Sequence, residues 1–128
     1  MNRTTELMKA AGTFFVATAE GDQPRVRPFG AAADIDGKTY ICLNNTKKVF
    51  AQMMANPKCE ICGMVGQKWF RIECRLNRDD RDEAREAMRN ANEGLRDRYK
   101  ADDGIYEVFY LSDVKGTFES LTEPKEEF

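Results

Sequence analysis

The segment TFFVATAEGDQPRVRPFGAAADIDGKTYICL, residues 13–43, decides the fold. Thr13 to Ala19 is rich in aromatic and β-branched residues, the turn formers of Glu20 to Pro24 follow, and a second extended run occupies Arg25 to Ile35. Asp36-Gly37 is a strong two-residue turn signal, and Lys38 to Leu43 reads as a third strand. Three antiparallel strands are therefore expected before residue 44.

Before this segment, Thr4 or Thr5 can cap a short helix carrying Leu7, Met8 and Ala11, with Gly12 at its exit. After it, Asn44-Asn45-Thr46 offers capping residues for a second helix bearing Val49, Phe50, Met53 and Met54 on one side, and Asn56-Pro57 should end it. Lys58 to Val65 and Lys68 to Asn77 then form a hairpin around Gly66-Gln67. Alternation puts Phe70, Ile72, Cys74 and Leu76 on one face of its second strand and Trp69, Arg71, Glu73 and Arg75 on the other. Asp79, Asp80, Asp82 and Glu83 suit the start of a third helix, whose apolar stripe is Ala84, Met88, Ala91, Leu95 and Tyr99 and which Gly94 divides. Ile105 to Leu111 and Val114 to Leu121 read as two final strands joined by a bend, and the tail from Glu123 is expected to fray. The sum is one α+β domain, residues 1–128, built as an antiparallel barrel with two main flanking helices.

Composition narrows the function. Twenty basic against 22 acidic residues give a net charge of −2, too little positive field for nonspecific nucleic-acid binding. The apolar runs fall far short of the ~20 residues that span a bilayer, and no signal pattern opens the chain, so a cytoplasmic protein without membrane attachment is expected. Cys42, Cys59, Cys62 and Cys74 fall in strands, where a reduced thiol acts as a small hydrophobe. The Cys59/Cys62 spacing resembles a metal or redox motif, but there is no second pair and no histidine in the chain, so no metal is assigned. Absence of histidine also removes the usual general base and any Ser/His or Cys/His pair. Reactivity must come from a cofactor, and no side chain is assigned as acid or base.

Two features break local rules. Lys47 and Lys48 stand at the start of the second helix, where the dipole favours anions; with the Thr46 hydroxyl and free N–H groups they make either a phosphate seat or a solvated lysine pair. Arg25 and Arg27, two apart on a strand, project from one face about 7 Å apart. Pro28 next to them marks an edge or bulge, and Phe29, Gly30 and Ala31 to Ala33 leave room for a flat ligand. Together the two pairs form a two-part phosphate clamp. Trp69 reads as a stacking residue, an interface anchor or ordinary packing; Tyr106, Tyr110, Arg71 and Arg75 read as structural or dimer contacts.

Three segments carry a resemblance: Gly21 to Gly30 with its Arg-Val-Arg-Pro core, Asp36 to Leu43, and Thr46-Lys-Lys through Asn56-Pro57. In that order and spacing, with Trp69 to Glu73 as a following strand, they resemble the pyridoxamine 5'-phosphate oxidase-like FMN-binding proteins, in the general-stress-protein and nitroimidazole-resistance-like branch. The resemblance implies a split β-barrel homodimer with FMN in clefts between subunits. By motif position it assigns Arg25, Arg27, Lys47 and Lys48 to the phosphate, with the Thr46 hydroxyl of the helix start beside them, Val26, Pro28 and Phe29 to the ring, and Ile41 and Cys42 to further flavin contacts, and it puts Trp69 at a cofactor-site position where the oxidase branch has a glutamine. It supports an FMN-dependent oxidoreductase, of the flavin- or nitro-compound-reductase kind, with NAD(P)H as a candidate donor. The C-terminal arginine and tryptophan that receive pyridoxamine phosphate in the true oxidases have no counterpart here. The alternatives are a flavin- or haem-binding module without turnover, a deazaflavin protein, and a degenerate dimeric barrel.

Overall fold

In the computed structural model, which describes residues 1–128, helix α1 spans Arg3–Ala11. Its cap is Asn2 rather than Thr4 or Thr5: the Asn2 Oδ1 accepts from the Thr5 N–H at 2.8 Å. Thr5 is drawn into the interior, where its hydroxyl meets that of Thr39 at 2.8 Å. The extended run from Arg25 to Ile35 is two strands. After β1 (Phe14–Glu20) come β2 (Gln23–Phe29) and β3 (Ala32–Ile35), separated by Gly30 and Ala31. Strand β4 (Lys38–Asn44) leads into helix α2 (Lys48–Ala55), and the expected hairpin follows as β5 (Lys58–Val65) and β6 (Lys68–Asp79). Helix α3 (Asp82–Ala91) and the short α4 (Glu93–Arg96) precede β7 (Tyr106–Glu119) and β8 (Glu126–Glu127).

All paired strands are antiparallel, in the order β2-β1-β5-β6-β7-β4-β3, with β8 on β7. Strands β2 and β3 are consecutive in the chain yet lie at opposite ends of this path. Gly30 and Ala31 thus join the two free edges covalently where no ladder hydrogen bonds do, and the barrel is split there. Pro24 and Pro28 suit β2 because an edge strand tolerates residues that cannot donate.

Three expectations are corrected near the C-terminus. The two final strands are one, because Asp113 takes a left-handed φ of 52° and a register shift opposite Cys74 absorbs the extra residue as a bulge. The tail is ordered instead of frayed: Phe128 exchanges two backbone hydrogen bonds with Gly116, at 2.7 and 2.9 Å, and packs on the core. The break in the third helix falls at Asn92, two residues before Gly94, and Ala91 faces solvent.

Two apolar clusters form. The barrel interior holds Leu7 and Met8 from α1, Val49 and Met53 from α2, and Phe14, Val16, Ile41, Ile61, Phe70, Ile72 and Phe109 from the strands. A second cluster seats Ala84 and Met88 of α3, with Leu95, on the outer face of β3, β4 and β7 through Ala33, Tyr40, Tyr106 and Val108. Burial on both sides makes β4 apolar throughout its middle, from Tyr40 to Leu43. Helix α2 turns Gln52 inward and leaves Met54 half exposed, the reverse of the expected face at those two positions. No helix is long and apolar enough to cross a membrane, and no group of three or more His, Cys, Asp or Glu side chains is placed to hold a metal ion.

Candidate functional site

The split leaves a groove of about 480 Å³ between the Gly30 connection, β4, the start of α2 and the segment after α4. Its walls bring together Arg27, Pro28, Phe29, Cys42, Lys47 and Lys48 from the residues singled out in the sequence. Leu95, Arg98 and Tyr99 complete it. The groove has four cationic residues and no carboxylate on its walls, in a chain whose net charge is −2.

Arg27 is the informative side chain. Its guanidinium donates to Thr18 Oγ1 and to Gln52 Oε1, each at 2.6 Å, and both acceptors are neutral and buried. Partial burial, and secondarily the Arg25 charge, hold it below its ordinary pKa. A guanidinium tethered only by neutral oxygens keeps its charge available for an anion. Thr18 and Gln52 had no signal in the sequence, since neither breaks a local rule; they matter because α2 crosses β1 at that point.

Helix α2 starts one residue later than the capping motif suggested. Lys47 occupies the cap position with extended backbone and no side-chain cap, and the first turn has no acidic residue. Asn44 is the reason: its Oδ1 accepts from both the backbone N–H and the hydroxyl of Thr46, at 2.8 and 2.7 Å, and holds that residue in the turn before the helix. The exposed helix terminus and the two lysine side chains therefore open on the groove together.

At the other end, Cys42 is half-buried, and desolvation pushes its thiol up to about 12. Beside it the Tyr106 hydroxyl is buried without a hydrogen-bond partner; the Cys42 thiol neighbours it without hydrogen-bond geometry. Tyr99 stacks on the Tyr106 ring with centroids 4.9 Å apart. The sequence placed Tyr99 on a helical stripe and did not single out Arg98. Both reach the groove because the chain leaves helical geometry after Arg96, a break that periodicity cannot locate.

Five sequence candidates do not line this groove. Arg25 pairs with Glu20 at 3.0 Å at the far end of β2. Ile41 is fully buried in the barrel, since alternation along β4 sends Cys42 the other way. Thr46 is held by Asn44 as above. Val26, 67% exposed, projects from the opposite face of β2 to Arg27. Trp69 lies across from Met64 and Glu119, on the outer face of β5 and β6. Val26 and Trp69 instead bound an apolar strip with Phe15, Pro28, Cys62 and Met64, cross-strand neighbours on the outside of β2, β1, β5 and β6.

A split antiparallel barrel with a groove of four cationic residues at the split defines the fold class, and comparison with known proteins gives the family. The family model described as pyridoxamine 5'-phosphate oxidase matches residues 2–125, and the chain belongs to that family. A crystal structure of a NimC/NimA family protein from Clostridium acetobutylicum is 46% identical, with a TM-score of 0.96 over 98% of this chain and 89% of the other. Two distant structures share the fold. A heme binding protein from Mycobacterium smegmatis is 13% identical, with a TM-score of 0.76 over 100% of this chain and 58% of its own. A FAD-binding protein from Mesorhizobium loti is 19% identical, with a TM-score of 0.63 over 94% and 96%. No curated protein matches the chain.

Proposed function

We propose that the groove holds FMN and that the chain is an FMN-dependent oxidoreductase which works as a homodimer. The observation that carries the reading is the wall of Arg27, Lys47, Lys48 and Arg98 without a carboxylate, with Arg27 tethered only by neutral oxygens. The residues fit the group. Arg27, the lysines and the α2 N-terminus would hold the phosphate, while Pro28, Phe29 and the small Gly30 and Ala31 would accept the flat ring. FMN bound there would supply the hydride and electron chemistry that a chain without histidine lacks.

The chain's own residues orient the cofactor by its phosphate and cover part of its ring. The groove is open on one side, and the apolar strip from Val26 to Trp69 runs alongside it, sharing Pro28. A second copy docked by this strip would bury it and exclude water from the ring edge. Family membership supports flavin, and the chemistry of the groove favours it over haem. Haem calls for an axial donor, and the chain has no histidine, the usual proximal ligand.

The test is direct. The purified protein is mixed with excess FMN, desalted, and its visible spectrum recorded. A retained flavin band with altered fine structure is expected, followed by NADH- or NADPH-dependent reduction of quinone or nitroaromatic acceptors. A colourless protein rejects the FMN assignment, and a retained flavin that no donor reduces rejects turnover.

A further inference from the structure

Cys59 and Cys74 are directly opposite each other on β5 and β6, with their sulfurs 3.2 Å apart. The local ladder fixes their spacing. The Leu76 N–H donates to the Pro57 carbonyl at 2.8 Å, which makes 57/76 a hydrogen-bonded pair; two residues along, Cys59/Cys74 is a pair of the same kind. Such pairs hold their Cα atoms about 5.5 Å apart, inside the window that a disulfide needs. Bridging them takes side-chain rotation and closure of the sulfur gap to about 2 Å, with the Cα separation already in range. The Cys59/Cys62 spacing visible in the sequence is not the reactive unit, because Cys62 is exposed on the opposite face of β5.

Access is the second observation. Both residues border a surface cleft of about 410 Å³, away from the cofactor groove, while their side chains turn to the core face of β5 and β6. The charges of the cleft balance, Lys58, Arg75 and Lys115 against Glu60, Glu73 and Asp113, so no net field repels a charged disulfide from this side of the sheet. Cys59 is the more exposed of the two, whereas Cys74 is buried. The cleft lies beside the bulge at Asp113, where the β6–β7 ladder is already interrupted.

We propose that Cys59 and Cys74 form a dithiol–disulfide couple that exchanges with small-molecule disulfides. Cys59, as thiolate, attacks one sulfur of the incoming disulfide; a mixed disulfide forms and the other sulfur leaves as thiolate. Cys74 then loses its proton and attacks the Cys59 sulfur, which closes the cross-strand bond and releases the second thiol. The protein loses two electrons and two protons, and the small disulfide becomes two thiols. The hydrogen bond with Cys59, and burial, raise the Cys74 thiol above its ordinary range in the reduced pair; burial persists in the mixed disulfide, so the second step still requires deprotonation of a buried thiol and speeds up with pH.

The experiment uses the full chain in native buffer with oxidised glutathione as the probe, followed by mass spectrometry of intact protein and of proteolytic fragments. The expected product is a Cys59–Cys74 linked fragment pair, with an intact mass about 2 Da lower, reversible by dithiothreitol. The Cys62→Ser variant should form the same link. Cys59→Ser should abolish it, and Cys74→Ser should trap glutathione on Cys59. Circular dichroism melts show which variants are folded, and the wild-type and Cys62→Ser measurements stand without the other two. A Cys59–Cys62 link, or stable glutathione on Cys59 in folded wild-type protein, overturns the proposal.

Discussion

Replacing Arg27 with alanine should separate ligand affinity from stability. In the apo protein the guanidinium makes two hydrogen bonds, to Thr18 Oγ1 and Gln52 Oε1. Neither partner is orphaned by its loss. The Thr18 hydroxyl still donates to Gln52 Oε1 at 2.9 Å, and Gln52 Nε2 still faces Glu20 at 3.4 Å. Two hydrogen bonds from a charged donor, worth about 1.5 kcal/mol each at the low end, disappear, while the desolvation of that charge and its repulsion from Arg25 disappear with them and offset most of the loss. The net change in unfolding free energy should stay within about 1 kcal/mol. The FMN phosphate loses a charge-assisted bond worth about 1.5 to 3 kcal/mol, which weakens binding roughly 10- to 150-fold. Arg27→Lys should fall between, because it keeps the charge but not the fork. Flavin fluorescence titration gives the affinities and urea unfolding of apo protein gives the stabilities. A dissociation constant within threefold of wild type, or a stability loss larger than the affinity loss, would show that Arg27 is a structural residue and refute the phosphate assignment.

Further perturbations test other parts of the structure. A Cβ at Gly63 would meet the Phe70 ring at 2.5 and 2.8 Å, so Gly63→Ala should destabilise by about 1 to 3 kcal/mol in urea unfolding. Phe128→Ala removes a ring packed on the core and should lower stability by about 1 to 3 kcal/mol; no change would mean that the terminal strand is not anchored as described. Val26→Glu places a charge in the apolar strip and should turn a dimer into a monomer in light scattering, with apo secondary structure retained. Arg81, and then the Tyr40 hydroxyl at 2.6 Å, hold the Asp79 carboxyl at about 2 against an ordinary 3.8. A depressed folded value stabilises the fold above the unfolded pKa, and the contribution is lost as pH falls from about 4 to 2. Asp79→Asn should therefore flatten acid unfolding in that window, by up to about 2 kcal/mol.

Local chemistry decided much of this protein from its sequence alone. Turn residues such as Asp36-Gly37 and Gly66-Gln67, and the two-residue alternation from Phe70 to Leu76, depend on neighbours within a few positions. The strands they mark stand where expected. Lys47 and Lys48 stood out for the same reason, since two cations at a helix start contradict a rule of that element, and Arg27 through the proline beside it; Arg25, read as its partner, is held by Glu20 instead. What needed tertiary structure involves residues far apart in the chain. The run from Arg25 to Ile35 looks continuous, yet it divides at Gly30 because β2 and β3 pair with different strands at opposite edges of the sheet. Phe128 is ordered by Gly116, Asn2 takes the cap because Thr5 is buried against Thr39, and Arg98 and Tyr99 reach the groove by leaving a helix. The cysteine pair stands between the two: the sulfurs that touch are fifteen residues apart, yet the two-residue turn at Gly66-Gln67 fixes the hairpin register that sets Cys59 opposite Cys74. Sequence periodicity reports which face a residue occupies, whereas contact across strands depends on which edge finds which partner, and that is settled by the closing of the whole sheet.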